Sequence, residues 1–175
     1  MSTVWKADPG HSVVEFSIKH MMIATVRGRF TEFDVTLNGD PESLADASVE
    51  VSIEAASIDT HQPDRDAHLK SADLFEVETY PKITFKSTKI ESVGDNEYNM
   101  TGDLTIRDQT HPVTLKVEYG GSGPDPWGGT RAAFSATGKI DRQAFGVKWN
   151  APLETGGVLV GNEVKLNIEV ELVRQ

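Results

Sequence analysis

The C-terminal stretch NEVKLNIEVELV constrains this chain more than any other. Val164, Leu166, Ile168, Val170 and Leu172 alternate with Glu163, Lys165, Asn167, Glu169 and Glu171. Successive side chains of a strand point to opposite faces, so period two over ten residues makes a ribbon with one dry face and one wet face. The pattern recurs along the chain. Val14, Phe16 and Ile18 form one apolar face; so do Val49, Val51, Ile53 and Ala55, and Ile83 with Phe85. Tyr98 to Ile106, Val113 to Tyr119 and Phe134 to Ile140 repeat it. Residues 25–38 also alternate, but Val26, Gly28 and Phe30 are out of step with Phe33, Val35 and Leu37. A bulge near Thr31-Glu32 puts both sets inside and bends the strand sharply.

That makes eight strands. Their links, NGDPES (38–43), VGDNEY (93–98), RDQTHP (107–112), YGGSGPDPWGG (119–129) and APLETGG (151–157), carry turn residues. Short links between amphipathic strands favour an antiparallel meander, and closure into a barrel removes exposed edges. The expectation is an all-β, eight-stranded antiparallel barrel, one domain over residues 1–175. One segment departs from this. Asp64 to Leu74 reads as a short helix between strands three and four, with Pro63 and two acids at its start and Lys70 near its end.

A net charge of −10 argues against nucleic acid. With no cysteine there is neither a disulfide nor a thiolate metal site. No apolar run approaches a membrane span of about 20 residues. MSTVWKADPGHS lacks a basic segment followed by an apolar core, so a cytoplasmic protein is expected. The five histidines show no metal-ligand spacing, and no metal or cofactor is expected. DPGHS supplies Asp8, His11 and Ser12, but adjacent strand residues face opposite ways and no Gly-x-Ser-x-Gly elbow occurs, so no catalytic residue is assigned.

Whether such a barrel is filled or hollow decides what it does. Gly28, Gly102, Gly138, Ala55, Ala132 and Ala136 lie on faces that also carry phenylalanines. Small inward residues leave room for a ligand, or they relieve curvature, and the pattern alone leaves both open. A second feature is sharper. Between Phe16 and Thr31 there is no acid, in a chain that has 27 of them. Lys19, His20, Arg27 and Arg29 flank the apolar tip Met21, Met22 and Ile23. This suits a barrel mouth receiving an apolar molecule with an anionic head.

The ordered set HSVVEFSIKHMMIATVRGRF (11–30), SIDTHQPDRDAHLKSADLFEVETYPKITFKST (57–88), GDLTIRDQTHPVTL (102–115) and DPWGGTRAAFSATGKIDRQAFGV (125–147) resembles the YceI-like, polyisoprenoid-binding, lipocalin-like family. The resemblance implies a lipocalin-like barrel with a helical element, an apolar tunnel for an isoprenoid or similar lipid, and a homodimer. Many relatives carry a signal peptide and are periplasmic. Arg65, Asp66 and Arg142 match motif positions and are read as a structural ion network. The function expected is binding of a long amphiphilic lipid, a polyprenyl diphosphate or an isoprenoid quinone, for transport or storage, with room for transient membrane contact. The alternatives are a lipid-ester hydrolase and a ligand-free interaction module. The residues assigned to the tunnel are Val14, Phe16, Ile18, His20, Met22, Phe30, Val51, Ile53, Leu74, Phe75, Phe85, Met100, Leu104, Phe134 and Ile140. His20, Arg27 and Arg29 are assigned to a head group.

Overall fold

The computed structural model describes residues 3–151, 153 and 159–175. These form strands β1 (Val4–Ala7), β2 (Val13–His20), β3 (Ala24–Phe30), β4 (Phe33–Asn38), β5 (Ser48–Glu54), β6 (Ile58–Asp59), β7 (Lys82–Gly94), β8 (Glu97–Ile106), β9 (Gln109–Pro124), β10 (Thr130–Asp141) and β11 (Val160–Arg174). Hydrogen bonding runs β1–β4–β5–β7–β8–β9–β10–β11 and returns to β1, which closes an antiparallel barrel of eight staves. The three strands outside that ring continue its first three staves. β2 lies on β11 beyond β1, β3 lies on β2, and β6 lies on β3.

The three staves are therefore each broken once, and the breaks lie side by side. A 3-10 turn at Pro9–His11 divides β1 from β2, bends at Thr31 and Glu32 divide β3 from β4, and a 3-10 turn at Ala55–Ser57 divides β5 from β6. Thr31 N–H donates to Ser57 O at 3.2 Å, and Glu54 N–H donates to Glu32 O at 3.0 Å. Pro9 shares a surface hollow with Thr31, Glu32 and Glu54. Together they form a crease across the sheet. The break at Thr31-Glu32 performs the expected parity change: Phe30, Val35 and Leu37 are all buried, while Arg27 and Arg29 are exposed.

Arg131 pins the crease. Its Nη1 donates to Asp8 Oδ2 at 2.7 Å and to Glu171 Oε1 at 3.1 Å, and its Nε donates to Asp125 Oδ2 at 2.9 Å. Asp8 N–H bonds Glu171 O, and Ser12 Oγ accepts Glu171 N–H. The guanidinium holds the Asp8 carboxyl at about 2, with bonds from His11 and Gly10 N–H adding to the effect.

The helix α1 (Pro63–Lys70) is shorter than predicted. Gln62 caps it by accepting from Asp64 N–H at 3.1 Å. It stops before Leu74 because Ser71 leaves helical geometry and its Oγ bonds His68 O at 2.6 Å. No helix residue is fully buried; Leu74 and Phe75, in the turn that follows, pack inward instead. Three assigned links are also shorter than expected. β7 runs to Gly94 and β8 begins at Glu97, so residues 95 and 96 are what remains of the link at 93–98. β9 begins at Gln109 and runs to Pro124, because its edge pairs with β10 through Thr130↔Pro124. Most of the link at 151–157 lies outside the described residues.

The end of the barrel opposite α1 is closed. A 3-10 turn at Pro41–Asp46 joins β4 to β5 and inserts Leu44, 3% exposed, beside Leu37 and Leu172. Tyr119 Oη donates to Glu42 Oε1 at 2.7 Å and ties this plug to β9.

The inward glycines are seats for neighbouring side chains. A Cβ on Gly28 would collide with the Phe16 ring, on Gly102 with the Phe85 ring, and on Gly138 with Leu115 Cδ2. Each bulky group lies flat against the adjacent strand instead of projecting across the lumen. Gly102→Ala, whose Cβ would also meet Lys86 O, should lower unfolding free energy by about 1–3 kcal/mol. Gly123→Ala, with open space around it, should leave stability within about 0.5 kcal/mol of wild type in the same urea titration.

The crease also predicts an acid response. Because the folded-state pKa of Asp8 is depressed, its contribution is complete above the unfolded value near 3.8 and is lost as pH falls toward about 2. Wild-type stability should fall across that window more steeply than that of Asp8→Asn. Parallel slopes in denaturant titrations at pH 4, 3 and 2 would refute the pin.

Candidate functional site

Laying the rings along the wall leaves a cavity of about 530 Å3 down the barrel axis. Its wall is aliphatic and aromatic over most of its length. Leu44, Leu37, Val117 and Leu172 form the buried floor. At the other end the lining residues reach solvent: Lys19 and Asp64 are exposed, and His20, Arg65, His68, Trp149, Leu159 and Val160 are half-buried. The cavity therefore opens among the β2–β3 hairpin, α1 and the stretch between β10 and β11.

This end also answers why a strand protein carries a helix there. β6 pairs with β3 alone, so the wall lacks hydrogen bonding between β6 and β7 at this level. Residues 60–81 fill that gap, and Leu69, Leu74 and Phe75 turn their side chains to the cavity. The Phe75 ring meets Phe30 edge-on at 6.3 Å. The helix walls the mouth rather than plugging it.

Three polar groups shape the rim. Arg65 Nε donates to Thr60 Oγ1 at 2.8 Å and its Nη2 to Thr60 O at 2.7 Å, while Thr60 N–H donates to Asp66 Oδ1 at 2.9 Å. These bonds lock α1 onto the end of β6. Among the described residues Arg65 Nη1 has no protein acceptor, and Arg65 is one of the residues that line the cavity near its opening. His68 is oriented by Asp73 at 3.0 Å and packs edge-on against Trp149, with ring centres 4.6 Å apart.

Arg142 is only 5% exposed. It donates to Val147 O at 2.7 Å, Gly161 O at 2.7 Å and Trp149 O at 2.9 Å. Among the described residues it makes no ion pair, and burial lowers its pKa from the usual arginine value. Carbonyls thus replace a carboxylate in holding it, and it fastens the 147–149 stretch to the start of β11.

The expected network of Arg65, Asp66 and Arg142 is not formed. The first two converge on Thr60, and Arg142 satisfies separate backbone carbonyls. Asp8, His11 and Ser12 do not converge as a catalytic set. His11 Nδ1 sits 2.9 Å from Asp8, while Ser12 Oγ is committed to Glu171.

Of the residues assigned to a tunnel, Val14, Phe16, Ile18, His20, Phe30, Val51, Ile53, Leu74, Phe75, Phe85, Met100, Leu104, Phe134 and Ile140 all line the one cavity. Met22 does not; it stands 62% exposed at the hairpin tip. Arg27 and Arg29 are also outside it, because they share the outward parity of Ser17 and Glu15 opposite them. Of the three assigned head-group residues, His20 alone is at the rim. Several lining residues were not assigned from sequence. The inward face of β11, Val164 to Leu172, was present in the same alternation that defined the strand. Arg65, Trp149 and Arg142 had no such signal, since their positions depend on how irregular segments fold over the mouth.

The sequence matches the YceI-like domain over residues 5–172. The chain belongs to the YceI-like family. Protein YceI of Escherichia coli O157:H7 is 42% identical over 165 residues, 94% of this chain and 83% of that protein. The crystal structure of Burkholderia cenocepacia BcnA superimposes with a TM-score of 0.83 at 29% identity, covering 94% of this chain and 98% of BcnA. A polyisoprenoid binding domain from Saccharophagus degradans shares the fold, with a TM-score of 0.65 at 12% identity over 98% of each chain.

In this YceI-like barrel Arg142 ties three backbone carbonyls of the rim together. Arg142→Met should lower stability by about 2–4 kcal/mol, because it strands three carbonyls in a dry site. Limited proteolysis should then cut first near residues 147–151, whereas the barrel strands stay protected.

Proposed function

We propose that this protein binds a long-chain amphiphilic lipid, a polyisoprenoid, with the chain in the barrel cavity and the polar end at the rim. The observation that carries this reading is the cavity itself. It is closed at the floor by Leu44, apolar along its length, and bordered by Arg65, His68 and His20 at its opening. Its volume falls within the range of about 300–1,000 Å3 typical of small-molecule sites. Burying apolar surface at about 25 cal/mol per Å2 supplies affinity without any reacting group. Domain-wide likeness to the S. degradans polyisoprenoid binding domain points the same way. The role is carriage or storage, not turnover.

The head group is a hydrogen-bond acceptor, and a diphosphate fits better than a quinone. Arg65 has donors to spare, and guanidinium–phosphate bonds are among the strongest in partly dry sites. Arg27 and Arg29, being outside, have no part in it.

Solvent extraction of freshly purified protein, followed by mass spectrometry, should release a prenyl-chain lipid. A native mass equal to that of the bare chain, together with no uptake of added polyprenyl diphosphate or isoprenoid quinone, would overturn the reading. Ala136→Phe fills the lumen without adding charge. It should sharply reduce lipid content while the circular dichroism of the barrel is kept. Arg65→Gln, which also loosens α1, should weaken diphosphate binding about tenfold more than it weakens quinone binding.

A further inference from the structure

The mouth is edged by a turn of unusual chemistry. Met21, Met22 and Ile23 join β2 to β3 and are 44%, 62% and 82% exposed. Both methionines have positive φ, 54° and 63°. Hairpins usually assign such a pair of positions to Asn and Gly, because the left-handed region crowds other side chains. The turn is nonetheless well held: Ile23 N–H donates to His20 O at 3.2 Å and Met21 N–H to Leu159 O at 2.7 Å. Three apolar side chains are thus fixed in water, beside the rim that His20 and Leu159 help to form.

The outer face behind this tip is rich in cations, and Glu163 of β11, 3.8 Å from Lys139, lies among them. Arg27 and Lys165 both flank Ser17, from β3 and β11, and Lys19 lies one pair nearer the tip. Among the described residues Lys19 reaches only the neutral Thr25 Oγ1, at 3.2 Å. Arg29 stands further back, opposite Glu15 and Asp59. This patch belongs to a chain whose net charge is −10.

We propose that the β2–β3 hairpin docks on an anionic lipid bilayer. Met22 and Ile23 enter the headgroup–acyl boundary, and Lys19, Arg27 and Lys165 meet the phosphate layer. An apolar tip with basic flanks suits that boundary, where apolar burial and attraction to anionic lipid act together. Three side chains are too small a contact for a stable protein partner, which buries about 1,200–2,000 Å2 in all. The α1 side of the mouth carries exposed Asp64 and, just beyond the helix, exposed Asp73, so an anionic surface would meet the hairpin edge in preference to that one. The inference rests on the lipid-carrier reading for its purpose, since docking sets the cavity mouth at the surface from which a lipid would enter. It does not rest on that reading for its evidence.

The test is flotation with vesicles of phosphatidylcholine alone and of phosphatidylcholine mixed with phosphatidylglycerol, at low and high salt. Wild type should float with the anionic vesicles at low salt and be released at high salt. Lys19→Gln/Arg27→Gln should weaken partitioning by about fivefold for each cation removed. Met22→Ser/Ile23→Ser should abolish flotation and remain monodisperse and folded, since the tip supports no core. Lipid extracted from the same samples separates this inference from the carrier reading: flotation by a lipid-free protein upholds docking alone. Docking is overturned if folded wild type ignores anionic vesicles, or if the tip variant floats as wild type does. It is also overturned if light scattering shows a wild-type dimer that Met22→Ser/Ile23→Ser converts to monomer, because a second copy then covers the tip.

Discussion

Closing eight strands into a tube requires the sheet to turn more sharply than its natural twist allows, and the crease across the first three staves meets that requirement. The remaining features of the molecule depend on it. At Thr31-Glu32 the crease exchanges inner for outer parity, which brings Val35 and Leu37 inside after Phe30 and leaves Arg27 and Arg29 in water. At Asp8–His11 it separates the short β1, which closes the ring, from β2, which forms the mouth. Arg131 gathers Asp8 at the first break, Glu171 of β11 and Asp125 of the β9–β10 connection, so charge attraction adds to the hydrogen bonds that hold this corner.

What keeps the interior hollow is the pairing of large side chains with glycine. Phe16 lies over Gly28 and Phe85 over Gly102, so each ring is spent on the neighbouring strand's backbone. The rings also brace one another around the wall: Phe16 is 5.6 Å from Phe30, and Tyr119 stacks on Phe134 at 5.0 Å. An apolar lumen therefore coexists with a packed lining. Collapse would require several rings to leave good contacts at once.

The regular parts of this design were legible in the sequence because period-two alternation is a direct imprint of the pleat. It located the long strands, and with the mismatch between Phe30 and Phe33 it located the break that carries two of them into one stave. It missed β1 and β6, which are four and two residues long and too short to show a period. The helix was visible through Pro63 and its acids, but its end was not, since Ser71 stops it through a bond to His68 O that no local pattern announces. The rim was least legible. Arg142 reads as a member of an ion network until the chain folds three carbonyls around it, and Arg27 reads as a rim cation until parity turns it outward.

Leu44 has a further implication. At the floor Leu44 is carried on the β4–β5 connection, while Leu37, Val117 and Leu172 around it belong to the hydrogen-bonded wall. The bore of the tube is set by strand number and by the glycine seats, which the whole sheet constrains. Its depth depends on Leu44, in a connection that only the Tyr119–Glu42 bond and a few packing contacts hold to the sheet. Girth and depth are thus partly separable traits: a change of the stopper would alter how deep the cavity runs and leave the strand pairing of the barrel in place.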